Sequence, residues 1–216
     1  MTHVHHRPTC HHKNGDNKVR DAHGNVIGQC RCICTCPSVA TPEDYREEQA
    51  KPPKPYQDLR GAFFKSLIAL AEKDETIVLV IPDVGFSFTE EFQRRFPKRY
   101  FNTGVTEQST MVLCAGLALS GLKPYYYTMI NFSVFRPYEQ LRNAVCYHNA
   151  NVKVLGVKGS EKYKFLGFSH NIVENEDFHA VQMMPNIQCH KPVDEAQVAY
   201  IMEKEYERVG PAYIRL

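Results

Sequence analysis

Arg99-Tyr-Phe-Asn-Thr-Gly-Val-Thr-Glu-Gln-Ser-Thr110 is the stretch on which the fold turns. A short apolar strand breaks at Gly104, and Thr106 then offers a hydroxyl N-cap to a helix that carries Glu107 in its first turn. Met111, Leu113, Cys114, Leu117 and Ala118 recur at helical spacing until Gly121 and Pro124 end the run. A strand that passes directly into a helix is the repeating unit of open α/β sheets, and ligands lie at such junctions. An acid in a first turn can also do no more than complement the helix dipole. Glu107 therefore takes a chemical meaning only from its surroundings.

Outward from this junction the same alternation continues. Asp58 is placed to cap a helix with an apolar face of Leu59, Phe63, Phe64, Leu67, Ile68 and Ala71. Residues 77–81 are apolar on both faces, as a buried parallel strand is. A short helix over 90–95 leads to the strand 100–103. Strands are expected at 125–130, 152–157, 186–190 and 212–216, with helices at 138–148 and 193–208. Strands separated by helices predict an α/β fold with a doubly wound, mainly parallel sheet and right-handed crossovers.

Residues 1–36 differ from this pattern and read as a Cys/His-rich extension, residues 37–56 as a Pro-rich linker, and residues 57–216 as the α/β domain. The extension holds six of the chain's ten histidines and five of its eight cysteines, with little helical or strand period. Cys10, Cys30, Cys32, Cys34 and Cys36 are candidate ligands for a zinc ion, although alternating Cys-x-Cys does not match the usual Cys-x-x-Cys knuckle. The competing reading is an irregular extension with adventitious metal affinity. Cys114, Cys146 and Cys189 fall in apolar periodic segments and read as small core residues.

A length of 216 residues, an apolar fraction of 43% and a net charge of +2 describe a globular chain with a substantial core. That charge gives no reason to invoke nucleic acid or a membrane surface. No segment approaches the ~20 apolar residues of a spanning helix, and the N-terminus lacks a secretory apolar core. The cytoplasm is the expected compartment.

Arg99 to Gln108, Ala115-Gly-Leu-Ala-Leu-Ser-Gly121 and Lys123-Pro124 together resemble the pyrimidine-binding domain of transketolases and their thiamine-diphosphate relatives. The resemblance continues through Phe132-Ser-Val-Phe-Arg136, Glu139-Gln140, Gly167-Phe-Ser-His170, Glu176-Asp177, Pro185-Asn186, Pro192-Val-Asp194 and Tyr213-Ile-Arg215. It covers roughly residues 56–216, and its specificity lies in the agreement of many short motifs.

The resemblance implies that Glu107 bonds the ring nitrogen of the cofactor's aminopyrimidine, whose imino form takes the thiazolium proton. Burial and the helix N-terminus pull the proton affinity of such a carboxyl in opposite directions. Phe132 and Phe135 stand where the family packs aromatic rings around the pyrimidine, and Met129 replaces a third aromatic. Asp83 matches an aspartate near the thiazolium ring, and His170 matches the histidine that meets the oxygens of the reacting ketose. Arg60, Ser87 and Arg215 align with residues that grip a sugar phosphate, and Lys158 replaces a substrate histidine.

Two features depart from the family. Leu166 occupies the position of an aspartate that reads a sugar hydroxyl, and two extra residues separate His170 from Glu176. The Gly-Asp-Gly motif that holds the diphosphate through Mg2+ is not found. The expectation is the small subunit of a split transketolase, active with a large subunit that carries the diphosphate and Mg2+ site, in a heterotetramer. Ketol transfer between phosphorylated sugars is the expected reaction. The alternatives are the beta subunit of a decarboxylating synthase or 2-oxoacid dehydrogenase, and a noncatalytic assembly or metal-binding subunit.

Overall fold

The computed structural model describes residues 18–20, 26–29, 58–84, 87–159, 161–173 and 175–216. The five cysteines offered as zinc ligands and the Pro-rich linker lie outside these residues. Contacts divide the chain into two units, Met1–Val39 and Ala40–Leu216.

In the first unit, β1 (Lys18–Arg20) and β2 (Val26–Gln29) pair antiparallel, with Lys18 opposite Gln29. Strands of three and four residues are too short to leave a period of two in the sequence, which is why none was visible.

The second unit alternates as its sequence pattern requires. In chain order it contains α1 (Arg60–Lys73), β3 (Ile77–Ile81), α2 (Glu90–Arg95), β4 (Tyr100–Asn102), α3 (Glu107–Leu119) and β5 (Lys123–Met129). A π-helical turn (Asn131–Phe135) precedes α4 (Tyr138–Gln140), which continues as a second π segment (Leu141–Cys146). Then follow β6 (Lys153–Val157), a 3-10 run (Glu161–Ser169), α5 (Glu176–Val181), β7 (Gln188–His190), α6 (Glu195–Glu207) and β8 (Ala212–Arg215).

Six strands form one wholly parallel sheet in the order β4-β3-β5-β6-β8-β7. The period of two sorts each strand's side chains between two cores. Ile77, Leu79, Ile81, Tyr125 and Tyr127 pack with Phe63, Phe92, Val198 and Met202 on the face of α1, α2 and α6. Val78, Val80, Tyr126, Val154 and Tyr213 pack with Met111, Cys114, Leu141, Val145 and Val181 on the face of α3, the π segments and α5. The connections β3 to β4 and β7 to β8 step one way and use the first face. Those from β4 to β5, β5 to β6 and β6 to β7 step the other way and use the second. One hand of crossover demands this division.

The direction of winding reverses between β3 and β5, so the carboxyl ends of β4, β3 and β5 open the crevice where such sheets take ligands. Three local expectations are corrected. Thr106 does not cap α3 with its side chain; its hydroxyl donates instead to the Thr103 carbonyl at 3.0 Å. Pro124 belongs to β5, tolerated near the strand's start, where the Lys123 N–H supplies the bond to the Thr76 carbonyl at 2.8 Å. The helix expected over 138–148 is mostly π-helical.

On the first face Glu205 is buried among three cations. His190 Nε2 lies 2.8 Å from its Oε1, while Arg208 Nε and Lys153 Nζ reach Oε2 at 2.8 and 3.3 Å. Burial alone would raise this carboxyl, but the bonds from His190 and Arg208 and the nearby charges outweigh it and hold it at about 2. One acid shared by three cations cannot compensate each of them. Burial therefore wins at Lys153, which is lowered to about 8 although it also donates to the carbonyls of Arg208 and Gly210. Because Glu205 is more acidic folded than its ordinary 4.5, its contribution is complete above that value and is lost as pH falls toward 2. Glu205→Gln should cost about 3 kcal/mol in urea unfolding near neutral pH, by leaving buried cations uncompensated. The same variant should flatten the loss of stability that the natural chain shows on acidification across that window.

Candidate active site

Four elements meet at the crevice. β4 ends at Asn102, whose side-chain oxygen accepts from the Asp83 and Gly104 amides at 3.2 and 3.0 Å and so fixes the turns after β3 and β4 together. Gly104 adopts φ 69°, a left-handed conformation that glycine reaches without a Cβ clash, and the chain then enters α3. Thr110 hydroxyl donates to the Thr106 carbonyl at 2.7 Å and lies 2.7 Å from the Thr103 hydroxyl, tying the helix start to the strand end.

Glu107, the first residue of α3, is only 7% exposed. Its Oε1 accepts from Arg136 Nη1. The Arg136 guanidinium lies over the Phe132 ring, 3.9 Å from its centroid, a cation–π contact between residues four apart. The imidazole of His170 meets the same ring nearly edge to face, with centroids 5.1 Å apart and planes at 82°. A cavity of about 360 Å³ lined by Val105, Thr106, Glu107, Gln108, Ser109 and Arg136 opens beside the ion pair.

Backbone bonds hold this group. The π turn brings Phe132 inward, where the buried Tyr126 hydroxyl donates to its carbonyl at 2.9 Å. Asn131 Nδ2 donates to the carbonyls of Phe168 and Asn171 at 2.9 and 3.3 Å, binding the His170 segment to the π turn. Ser169 gives its only hydroxyl proton to the Leu166 carbonyl at 2.8 Å, so His170 Nδ1, 2.7 Å from that oxygen, is the donor between them and Nε2 is left as the acceptor. Burial and then the charge of Arg136 push the His170 pKa down, favouring this neutral imidazole.

The structure thus brings Glu107, Phe132 and His170 together. Met129 is half-buried at the end of β5, and Phe135 turns toward the core of the second face. Asp83 and Ser87 stand exposed after β3 at φ 53° and 72°, a conformation that is strained for side chains with a Cβ. Ser87 N–H donates to Glu90 Oε1 at 2.8 Å. Arg60 is engaged by Asp58 at 2.7 and 2.8 Å and lies over the Phe88 ring. Lys158 follows β6, its amide bonded to the Leu216 carbonyl.

Arg215 is corrected. Expected on a substrate anion, it is 4% exposed, with Nη1 bonded to Asp177 Oδ1 at 2.9 Å and Nη2 to Asn175 at 3.1 Å. Tyr213 donates to the other oxygen of Asp177 at 2.6 Å, and burial, then Asp177, push its pKa up. Arg136, Tyr126 and Asn131 have no role that the sequence motifs assign. Arg136 was legible in principle, because a cation four residues after an aromatic on a helical turn shares its face.

The described residues contain no group of three metal-ligating side chains and no helix long and apolar enough to cross a membrane. The class that fold and site define is an open α/β domain with a carboxylate and an aromatic face at its switch point. The model of the transketolase pyrimidine-binding domain matches residues 56–216, and the chain belongs to that family. It is 31% identical over 158 residues to one subunit of the apulose-4-phosphate transketolase of Phocaeicola vulgatus, covering 73% of this chain and 50% of that one. It is 34% identical over 168 residues to 1-deoxy-D-xylulose-5-phosphate synthase of Listeria monocytogenes, covering 76% of this chain and 27% of the synthase. A solved structure described as "Split gene transketolase, inactive beta4 tetramer" superposes with a TM-score of 0.65 at 35% identity, over 73% of this chain and 50% of that one. The chain therefore spans half or less of these relatives.

Replacing Arg215 by Met leaves Asp177 a buried, uncompensated carboxylate and should cost about 3–5 kcal/mol of stability in chemical unfolding of the chain. A variant that stays fully stable while losing affinity for phosphorylated ligands would return Arg215 to the substrate.

Proposed function

We propose that the chain is the small subunit of a two-component transketolase, in which Glu107 engages the aminopyrimidine of thiamine diphosphate and a ketol unit passes between anionic sugars. The observation that carries this reading is the nearly buried Glu107 carboxylate beside the Phe132 ring and the His170 imidazole, in a chain of the transketolase pyrimidine family. An acceptor next to a flat apolar face is the donor set that a flat heterocycle with ring nitrogens and an exocyclic amine needs. The cofactor supplies carbanion stabilisation when bound. The protein's part is to hold a carboxyl at the ring nitrogen, exclude water with Phe132, and present His170 Nε2 to a substrate oxygen. Asp83, Met129 and Phe135 are further cofactor contacts in this reading, and Arg60, Ser87 and Lys158 face the substrate from the same edge of the sheet.

The diphosphate and Mg2+ fall to a large subunit, with two copies of each chain. Helix α3 supports an assembled state: Val105, Ser109, Val112, Gly116 and Leu119, spaced four and three apart, form an exposed uncharged stripe next to Glu107. Its relatives include one subunit of a larger transketolase and a beta4 tetramer, in agreement with such assembly.

A decarboxylating synthase is the second reading, favoured by the 34% identity to 1-deoxy-D-xylulose-5-phosphate synthase and by Leu166 at the hydroxyl-reading position. Product analysis with a ketose phosphate or with pyruvate as donor separates the two.

Calorimetric titration of thiamine diphosphate and Mg2+ should show binding to the mixture with the large subunit, little to this chain alone, and none with Glu107→Ala. Unchanged binding by the Glu107→Ala mixture would remove the carboxylate from the cofactor site and favour a noncatalytic subunit.

A further inference from the structure

Three observations converge on a residue for which neither the sequence motifs nor the relatives' names give a task. Arg136 closes the π turn, its amide bonded to the Asn131 carbonyl at 2.9 Å in the i to i+5 pattern. Its guanidinium simultaneously bonds Glu107 and lies on Phe132. Its backbone carbonyl accepts from Gln108 Nε2 at 3.2 Å, so the segment is fixed to α3 at a second point. A simple surface ion pair would show neither the second anchor nor the stacking.

We propose that Arg136 is the positioning residue of this site, clamping Oε1 of Glu107 from the plane of Phe132 and thereby coupling the cofactor-facing carboxylate to His170. The proposal rests on the reading of Glu107 given above. A carboxylate held at one oxygen by a guanidinium lying on a ring has its second oxygen directed by that geometry. Lysine keeps the charge but cannot both stack as a plane and donate from a fork. The π turn is what makes the arrangement possible, since its extra residue per turn carries Phe132 and Arg136 to the crevice together.

The groups that face His170 are Phe132 and Arg136 from the π-turn segment, and Tyr163 and Ser169 from its own segment, with Glu107 reached through Arg136. Arg136 is the cation among them, and it acts with burial to disfavour the imidazolium. Loss of the guanidinium therefore raises the midpoint of the His170 titration.

Two measurements test the coupling. Imidazole proton NMR of the chain alone, with His170→Gln to identify the resonance, should show a higher midpoint in Arg136→Met and a near-natural one in Arg136→Lys. Calorimetry of thiamine diphosphate with the two-subunit mixture should show about tenfold weaker binding for Arg136→Met, as expected for a lost bond to a charged group. Arg136→Lys should recover part of that loss. The double variant Glu107→Gln with Arg136→Met should bind no more weakly than the worse single variant, because Arg136 acts through Glu107. An unchanged His170 midpoint in Arg136→Met, or losses that add in the double variant, overturns the proposal. If the natural mixture does not bind the cofactor, the functional reading fails, and the imidazole titration decides the role of Arg136 alone. Should Arg136→Met fail to fold, Arg136→Lys against the natural chain decides it: unchanged cofactor affinity overturns the clamp.

Discussion

A carboxylate withdrawn from water at the end of a parallel sheet has to find a countercharge, and the Glu107 to Arg136 bond is where this structure meets that demand. The two residues come from opposite sides of the crevice. Glu107 is delivered by β4 and the break at Gly104, and Arg136 by β5 and the π turn that follows it. Neither arm is placed unless β4, β3 and β5 hold their parallel register, with Leu79 level with both Tyr100 and Tyr125. The sheet's two cores serve that register: Met111 and Cys114 seat α3 on one face while Phe63 and Phe92 fill the other.

Other buried charges clarify what is special about this pair. Asp177 and Arg215 are both sealed, at 0% and 4% exposure, and Tyr213 completes the acid's bonding. Glu205 is likewise saturated by His190, Arg208 and Lys153. These groups brace helices against strands and have no oxygen to offer a ligand. At Glu107 the acid is buried but its cation is 43% exposed, and a cavity lies against both. An ion pair with one sealed and one open member exchanges a partner at a lower desolvation cost than a fully enclosed pair does. The difference between a structural and a working acid in this fold is therefore the accessibility of its cation.

The legible parts of the fold are those where composition and periodicity coincide. Residues 77–81 could only be a strand buried on both faces, and 90–95 kept its helical pattern between turns. The π segments left no comparable trace, because a hydrogen bond that slips from i+4 to i+5 changes no side chain. The run 161–169, interrupted by Gly167 at φ 59°, and the six residues of α5 are too short and too mixed in polarity to declare a period. At the site, motif resemblance placed Glu107, Phe132 and His170, but it aligns residues without reporting burial. Arg215 was misjudged for that reason: an arginine at the end of an apolar strand reads alike whether it faces a ligand or an internal aspartate.

Helix α3 joins two requirements that could have been separate. Its buried side seats the helix on the sheet, its first turn carries the carboxylate, and its outer side presents Val105, Val112 and Leu119 to solvent. A protein surface laid on that stripe would also cover the cavity at its N-terminal end. Removal of water there lowers the local dielectric and strengthens the interaction of Glu107 with whatever faces it, Arg136 and ligand alike. Assembly and cofactor engagement on this helix are then two consequences of one burial event, and the chemistry of the site is tied to the presence of a partner by electrostatics as much as by missing ligands.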